Sequence, residues 1–166
     1  MSIPSKDAAA VGNRIVERFV ARSEREAARS GVEHFFSQLN MIDVEVEGAD
    51  LAMQLPLGPH ITNMRGGLQG GLIATLADVV AGRVALAGVG PDAAVATSNL
   101  NIHYLGSINV GPAQAEARIV RQGSRMAVLQ VDVYDMGVIK QGRPLHAASA
   151  TLTFTLMRRR ESSAEG

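Results

Sequence analysis

The 166-residue chain contains no cysteine and no tryptophan, and its only aromatic residues are two tyrosines and four phenylalanines. Without cysteine, the chain cannot form disulfide bonds, thiolate metal sites or a cysteine nucleophile. With so few aromatic residues, the sequence offers little from which to predict a ligand pocket. Sixteen basic and sixteen acidic residues cancel, so the charge does not indicate a nucleic-acid or anionic-membrane partner.

The chain also lacks the apolar N-terminal segment that is typical of a signal peptide. Its single long apolar run, residues 70–87, approaches the length of a membrane span, but Asp78 and Arg83 interrupt its centre. We therefore expect a cytoplasmic protein with no membrane partner, and its length suits a single core.

Hydrophobic periodicity predicts an α+β protein. The predicted helices lie at 5–29, 32–39 and 70–87, and the predicted strands at 42–47, 51–55, 93–105, 112–122, 126–135 and 145–157. Short turns between successive strands imply antiparallel neighbours. One antiparallel sheet then packs against the long apolar helix.

The long helix is apolar on nearly every side, yet Asp78 lies near its middle. No cation stands three or four residues away to pair with this carboxylate, and an unpaired buried charge is costly. Asp78 is therefore either a reactive group or a structural carboxylate with a partner from a distant element. The helix begins with Gly70 and Gly71, whose amides are open to an incoming oxygen.

The spacing of these residues predicts a shared site. A helix rises 1.5 Å per residue, so Gly70 and Asp78 lie roughly 12 Å apart along the axis. They can act on one reacting group only if they come from different chains. A sheet covers one side of the helix, and a second copy of the subunit would cover the rest.

The segment Asn63, Gln69-Gly70-Gly71 and Leu76-Ala77-Asp78 resembles the asparagine, histidine-glycine-glycine and acidic-residue pattern of hotdog-fold acyl-CoA thioesterases. The resemblance is to the PaaI-like and 4-hydroxybenzoyl-CoA branch, and it covers residues 32–157. It implies a hotdog fold, an antiparallel sheet wrapped around one long central helix. Residues 1–31 would form an N-terminal helical extension, and 158–166 a frayed tail.

The resemblance also implies roles for single residues in the hydrolysis of an acyl-CoA thioester. The Gly70 amide would polarise the thioester carbonyl, and Asp78 of the opposite subunit would act as base or nucleophile. Asn63 would position water or the acyl carbonyl, and Thr97 would orient the attacking water. The residues implied in substrate binding are Gly71, Gly123, Ser124 and Arg125.

Gln69 departs from the family pattern, which usually has histidine before the two glycines. Glutamine forms hydrogen bonds but does not titrate near neutrality, so a non-hydrolytic acyl-CoA or small-ligand binding protein is the alternative. A hotdog dehydratase would need a catalytic histidine motif, which the chain lacks. The scattered histidines do not predict a metal site. We expect no cofactor beyond the coenzyme A of the substrate, and a homodimer that pairs into a dimer of dimers.

Overall fold

A computed structural model describes residues 34–89 and 93–158 of the chain. The predicted helix at 5–29, and with it the N-terminal extension, lies outside the described residues. So does the predicted tail, except for Arg158, which is the last residue of a strand.

The described part of the chain forms one antiparallel six-stranded sheet and one α-helix. The strands are β1 (Ile42–Val44), β2 (Leu51–Leu55), β3 (Ala93–Tyr104), β4 (Ala113–Gln122), β5 (Met126–Lys140) and β6 (Arg143–Arg158), and the helix is α1 (Gly70–Ala87). Two short 3-10 helices cover Phe35–Leu39 and Pro59–Ile61. The strand order is β1-β2-β4-β5-β6-β3 with every pair antiparallel, which confirms the predicted α+β arrangement.

Helix α1 packs against strands β2 to β6 with one face. The buried helix residues are Ile73, Leu76, Ala77, Val80, Ala81, Val84 and Ala85. By length and composition α1 could cross a membrane. A face buried against a sheet, however, is typical of a helix in a protein core. Gly71 is exposed, and Leu72, Asp78 and Val79 are half-buried. Asp78 is only half-buried within its own chain because the sheet covers one side of the helix, as expected from the sequence.

Several element boundaries differ from those predicted. The alternation at 42–47 predicted a strand to residue 47, but β1 ends at Val44, which pairs with Ala52. The residues that follow are needed for the turn, which the Ala49 amide closes on the Val46 carbonyl at 3.2 Å. Strand β5 continues past the predicted residue 135, because an irregularity in its pairing with β6 lets the ladder resume at Ile139.

A second buried carboxylate, which the sequence did not single out, fastens the loop before β4. Asp135 is fully buried, and its Oδ2 accepts from the Asn109 and Val110 amides at 2.8 and 3.1 Å. Its Oδ1 accepts from the Gly111 and Gly137 amides at 2.7 and 3.1 Å. Burial by itself raises the pKa of Asp135, but the four amide donors outweigh it and hold the pKa below its usual 3.8.

The variant Asp135→Asn should lower the free energy of unfolding at pH 7 by about 2–3 kcal/mol, because an amide nitrogen replaces one acceptor oxygen. A carboxyl group with a lowered folded-state pKa stabilises the fold above its unfolded pKa and loses this contribution as the pH falls. The difference between wild type and variant should therefore shrink below about pH 4. Urea denaturation at neutral and acidic pH measures it, and an equal difference at both would contradict the assignment.

Candidate active site

An asparagine holds the loop that leads into α1. The Asn63 Oδ1 accepts from the Arg65 amide at 2.8 Å and from the Gly67 amide at 3.3 Å, and its Nδ2 donates to the Leu68 carbonyl at 3.4 Å. A side chain at Gly67 would be crowded, because a Cβ there would lie 2.7 Å from Asn109 Oδ1 and 3.3 Å from the Ile108 carbonyl oxygen. The Asn63 side chain is thus engaged with its own loop, and its role toward water or a carbonyl stays a prediction.

Helix α1 begins with two glycines, Gly70 and Gly71, whose backbone amides are unpaired within the described part of the chain. Gln69 precedes the helix without capping it; its exposed side chain donates to the Thr62 carbonyl at 3.4 Å. No described residue accepts a hydrogen bond from the Gly70 or Gly71 amide, and no atom lies within 4 Å of a Cβ built on Gly71. Unpaired amides at a helix start carry partial positive charge, so they can bind the oxygen of a polarised carbonyl.

Strand β3 supplies the partner of Asp78. The Thr97 hydroxyl donates to Asp78 Oδ1 at 2.8 Å. The pairing of β3 with β6 is irregular between Thr97 and Asn99, and such bulges re-aim side chains. The second carboxylate oxygen of Asp78 forms no hydrogen bond with the described residues, so it is available to a water molecule or a substrate. The sequence placed Asp78 and Thr97 in one site, and the structure brings their side chains together.

The two halves of the predicted site are separated within one chain. Gly70 and Asp78 belong to one uninterrupted helix, so the rise per residue keeps them roughly 12 Å apart along the axis. Asp78 lies on the part of α1 that the sheet leaves uncovered, next to β3, which is an edge strand. One chain therefore presents an open helix start and a held carboxylate as two separate features.

The turn at 123–125 lies at the other end of the helix from Gly70. The Gly123 amide donates to the Met126 carbonyl at 2.8 Å, which closes the turn between β4 and β5. The neighbouring Gln122 side chain lies against Gly88, just after α1. Because α1 is roughly 26 Å long, the structure does not bring Gly123, Ser124 and Arg125 close to the helix start of the same chain.

Comparisons with known proteins find structures of the same fold and one similar family. Residues 66–140 match the family model of the thioesterase superfamily. The BH2602 protein of Bacillus halodurans, solved with CoA, is 29% identical and has a TM-score of 0.66, covering 93% of this chain and 94% of its own. The thioesterase HI1161 of Haemophilus influenzae is 17% identical with a TM-score of 0.65, covering 76% of this chain and 85% of its own.

The chain has the hotdog fold, and its residues 66–140 are similar to the thioesterase superfamily. A further relative, the protein SSO2140 of Saccharolobus solfataricus, bears an esterase name and is 26% identical over 103 residues, which are 62% of this chain and 73% of its own. The predicted hotdog fold is confirmed. The comparisons support a hydrolase of thioesters or esters as the general activity.

Two side chains that sequence reasoning missed form contacts between α1 and the sheet. Tyr104, the last residue of β3, donates its hydroxyl to the Gly70 carbonyl at 2.9 Å. Arg83 forms a bidentate ion pair with Asp43, in which Nη2 lies 2.8 Å from Oδ2. This ion pair links α1 to β1. A charge inside an apolar run was the only signal for Arg83, and no local pattern marked Tyr104.

The described residues hold no group of three or more histidine, aspartate or glutamate side chains that could bind a metal ion.

The variant Asn63→Ala should lower the free energy of unfolding by about 1–2 kcal/mol, because two loop amides lose their acceptor and the Gly67 amide is buried. The matched variant Asn63→Asp keeps the oxygen and should lose less. Chemical denaturation measures both. Equal losses would mean that Asn63 does not stabilise the loop through its oxygen.

Proposed function

We propose that the protein hydrolyses acyl-CoA thioesters to a free acid and coenzyme A. The observation that carries this proposal is the Asp78 carboxylate, held at one oxygen by Thr97 on a face of α1 that its own chain leaves uncovered. The open amides at Gly70 and Gly71 supply the second chemical requirement, a place for a carbonyl oxygen. The CoA bound to the BH2602 protein supports CoA as the thiol part of the substrate.

In the proposed reaction the thioester oxygen accepts a hydrogen bond from the Gly70 amide, so negative charge that develops on this oxygen is stabilised. Asp78 of the partner subunit takes a proton from a water molecule whose oxygen attacks the carbonyl carbon. The tetrahedral intermediate collapses and the carbon–sulfur bond breaks. The coenzyme A thiolate then takes up the proton that Asp78 removed from the water molecule. Thr97 would orient the attacking water through its hydroxyl.

The same geometry permits Asp78 to attack the carbonyl carbon itself, which breaks the carbon–sulfur bond, expels the coenzyme A thiolate and gives a mixed anhydride. Water then attacks the Asp78 carboxyl carbon of the anhydride, releases the acid and gives up a proton to the thiolate. The two routes differ in the source of the oxygen that enters the product acid. A single turnover in ¹⁸O-labelled water distinguishes them, because the nucleophilic route delivers an unlabelled Asp78 oxygen in the first turnover.

Gln69 is the specific feature that favours the alternative, an acyl-CoA binding protein without hydrolysis. Its side chain is exposed and donates to a loop carbonyl, and its amide group does not gain or lose a proton near neutral pH. In the proposed mechanism Asp78 carries the proton, so Gln69 has only to orient groups by hydrogen bonding. Binding of CoA without release of thiol from any thioester would favour the alternative.

The shared site requires an antiparallel pair of α1 helices, one from each subunit. The uncovered helix face and the free edge of β3 lie side by side, and a second copy placed there would cover both. We propose a homodimer with two equivalent sites, and a dimer of dimers as the larger assembly.

The variant Asp78→Asn should reduce turnover by a factor of ~10² or more with the fold intact, because the amide keeps the size of the side chain but is neither base nor nucleophile. Thiol release from a panel of aromatic and aliphatic acyl-CoA thioesters measures this effect and narrows the substrate. The matched control is Asp132→Asn, on the opposite face of the sheet, which should keep its turnover. Near-normal turnover in Asp78→Asn would end the catalytic assignment.

Complementation tests whether two chains share a site. Gly70→Pro removes the proposed donor, and Gln69 already has the extended backbone (φ −58°, ψ 130°) that suits a residue before proline. Each of Gly70→Pro and Asp78→Asn should be nearly inactive alone. Their mixed dimer should recover up to about half of normal activity, since one of its two sites is intact.

The control for the complementation is Gly70→Ala, which keeps the amide and places a methyl group at ordinary contact distance, 3.6 Å from the Tyr104 ring. This variant should retain most of its activity. Verified mixed dimers without recovery would show that the site lies within one chain.

A further inference from the structure

We propose that Tyr104 is a positioning residue that orients the Gly71 amide, as a second donor beside the Gly70 amide, toward the acyl carbonyl oxygen, an inference that rests on the proposed function. The Tyr104 hydroxyl donates to the Gly70 carbonyl at 2.9 Å. This carbonyl and the Gly71 N–H belong to one rigid planar peptide and point in opposite directions. A hydrogen bond that fixes one end of the peptide therefore fixes the direction of the other.

The peptide between Gly70 and Gly71 needs such a restraint more than an ordinary helix peptide does. Both flanking residues lack Cβ, so their backbone dihedral angles are the least restricted in the helix. No side chain caps this helix start, because Gln69 directs its amide to the loop. Among the described contacts, the Tyr104 hydroxyl is the one side-chain group that bonds to this peptide.

The Tyr104 ring adds a second contact with the start of α1, beside the hydrogen bond of its hydroxyl. Its Cε1 and Cζ atoms lie 3.6 and 3.7 Å from the position that a Gly70 Cβ would occupy, so the ring lies against the first residue of α1 while its hydroxyl bonds to the carbonyl. The strand places the ring there, because Tyr104 ends β3, the strand that also carries Thr97. A hydrogen bond to the carbonyl also polarises the peptide, which strengthens the N–H as a donor.

An amide that is aimed before the reaction acts on the transition state more than on substrate binding, because the charge on the carbonyl oxygen grows as the carbonyl is attacked. Loss of the restraint should therefore lower kcat and leave KM nearly unchanged. A residue that only stabilised the fold would lower the amount of active protein and leave the Gly71 amide unaltered in the folded fraction.

The test compares Tyr104→Phe with Tyr134→Phe. These are the only two tyrosines in the chain. Tyr134 is a matched control because it stacks on His146 with ring centroids 5.0 Å apart and lies on the other face of β5 from the buried Val133 and Asp135. Tyr104→Phe keeps the ring and should lower kcat about tenfold, a fraction of the effect of deleting an oxyanion donor. KM should change less than about twofold, and Tyr134→Phe should match the wild type.

A second readout does not depend on activity. In protein labelled with ¹⁵N-glycine, the Gly71 amide resonance, assigned through Gly71→Ala, should shift in Tyr104→Phe and stay in place in Tyr134→Phe. A kcat within twofold of wild type, an unmoved Gly71 resonance or an equal effect of Tyr134→Phe would overturn the inference. A wild-type protein that hydrolyses no thioester on the panel would instead contradict the proposed function itself.

Discussion

The one-sided packing of α1 against the sheet is the constraint on which the rest of this structure depends. The buried face of the helix is rich in alanine, and β4 presents alanines in return; these are Ala77, Ala81 and Ala85 on the helix and Ala113, Ala115 and Ala117 on the strand. Small side chains on both surfaces let the helix lie close to the sheet. The opposite face of α1 remains partly exposed, and Asp78 lies on it.

Strand β3 forms the hydrogen bonds that hold the candidate site groups of α1. It is an edge strand that bonds to the helix at two places, to Asp78 through Thr97 and to the Gly70 carbonyl through Tyr104. The irregular pairing after Thr97 turns that side chain toward the helix. The same strand thus bonds to the catalytic candidate Asp78 and to the glycine start of α1, while its free edge is open to a second chain.

Most of the architecture followed from local patterns. The apolar run predicted α1 with both boundaries correct, because a helix that starts at paired glycines and ends before another glycine is marked at both ends. The turns at residues 123 and 142 separated the long strands. The end of β1 was wrong by three residues, since alternation continues into a segment that the turn requires.

The candidate site was predictable only in part. The carboxylate of Asp78 was visible because charge is conspicuous in an apolar helix, and the family pattern added Thr97. Asp135 gave no comparable signal: an aspartate at the predicted end of a strand is ordinary, and its four amide partners come from a loop and a bulge. Tyr104 likewise matched the expectation for any strand residue.

By itself, the sequence determined which segments become strands and helix. It also identified one carboxylate and one open helix start as candidate site groups. The tertiary structure alone decided the partners of these groups: Thr97 is 19 residues from Asp78, and Tyr104 is 34 residues from Gly70. The physical reason is that periodicity reports burial along one segment. A hydrogen bond between distant segments depends on strand register, bulges and the placement of the helix, which are fixed only when the whole sheet has formed.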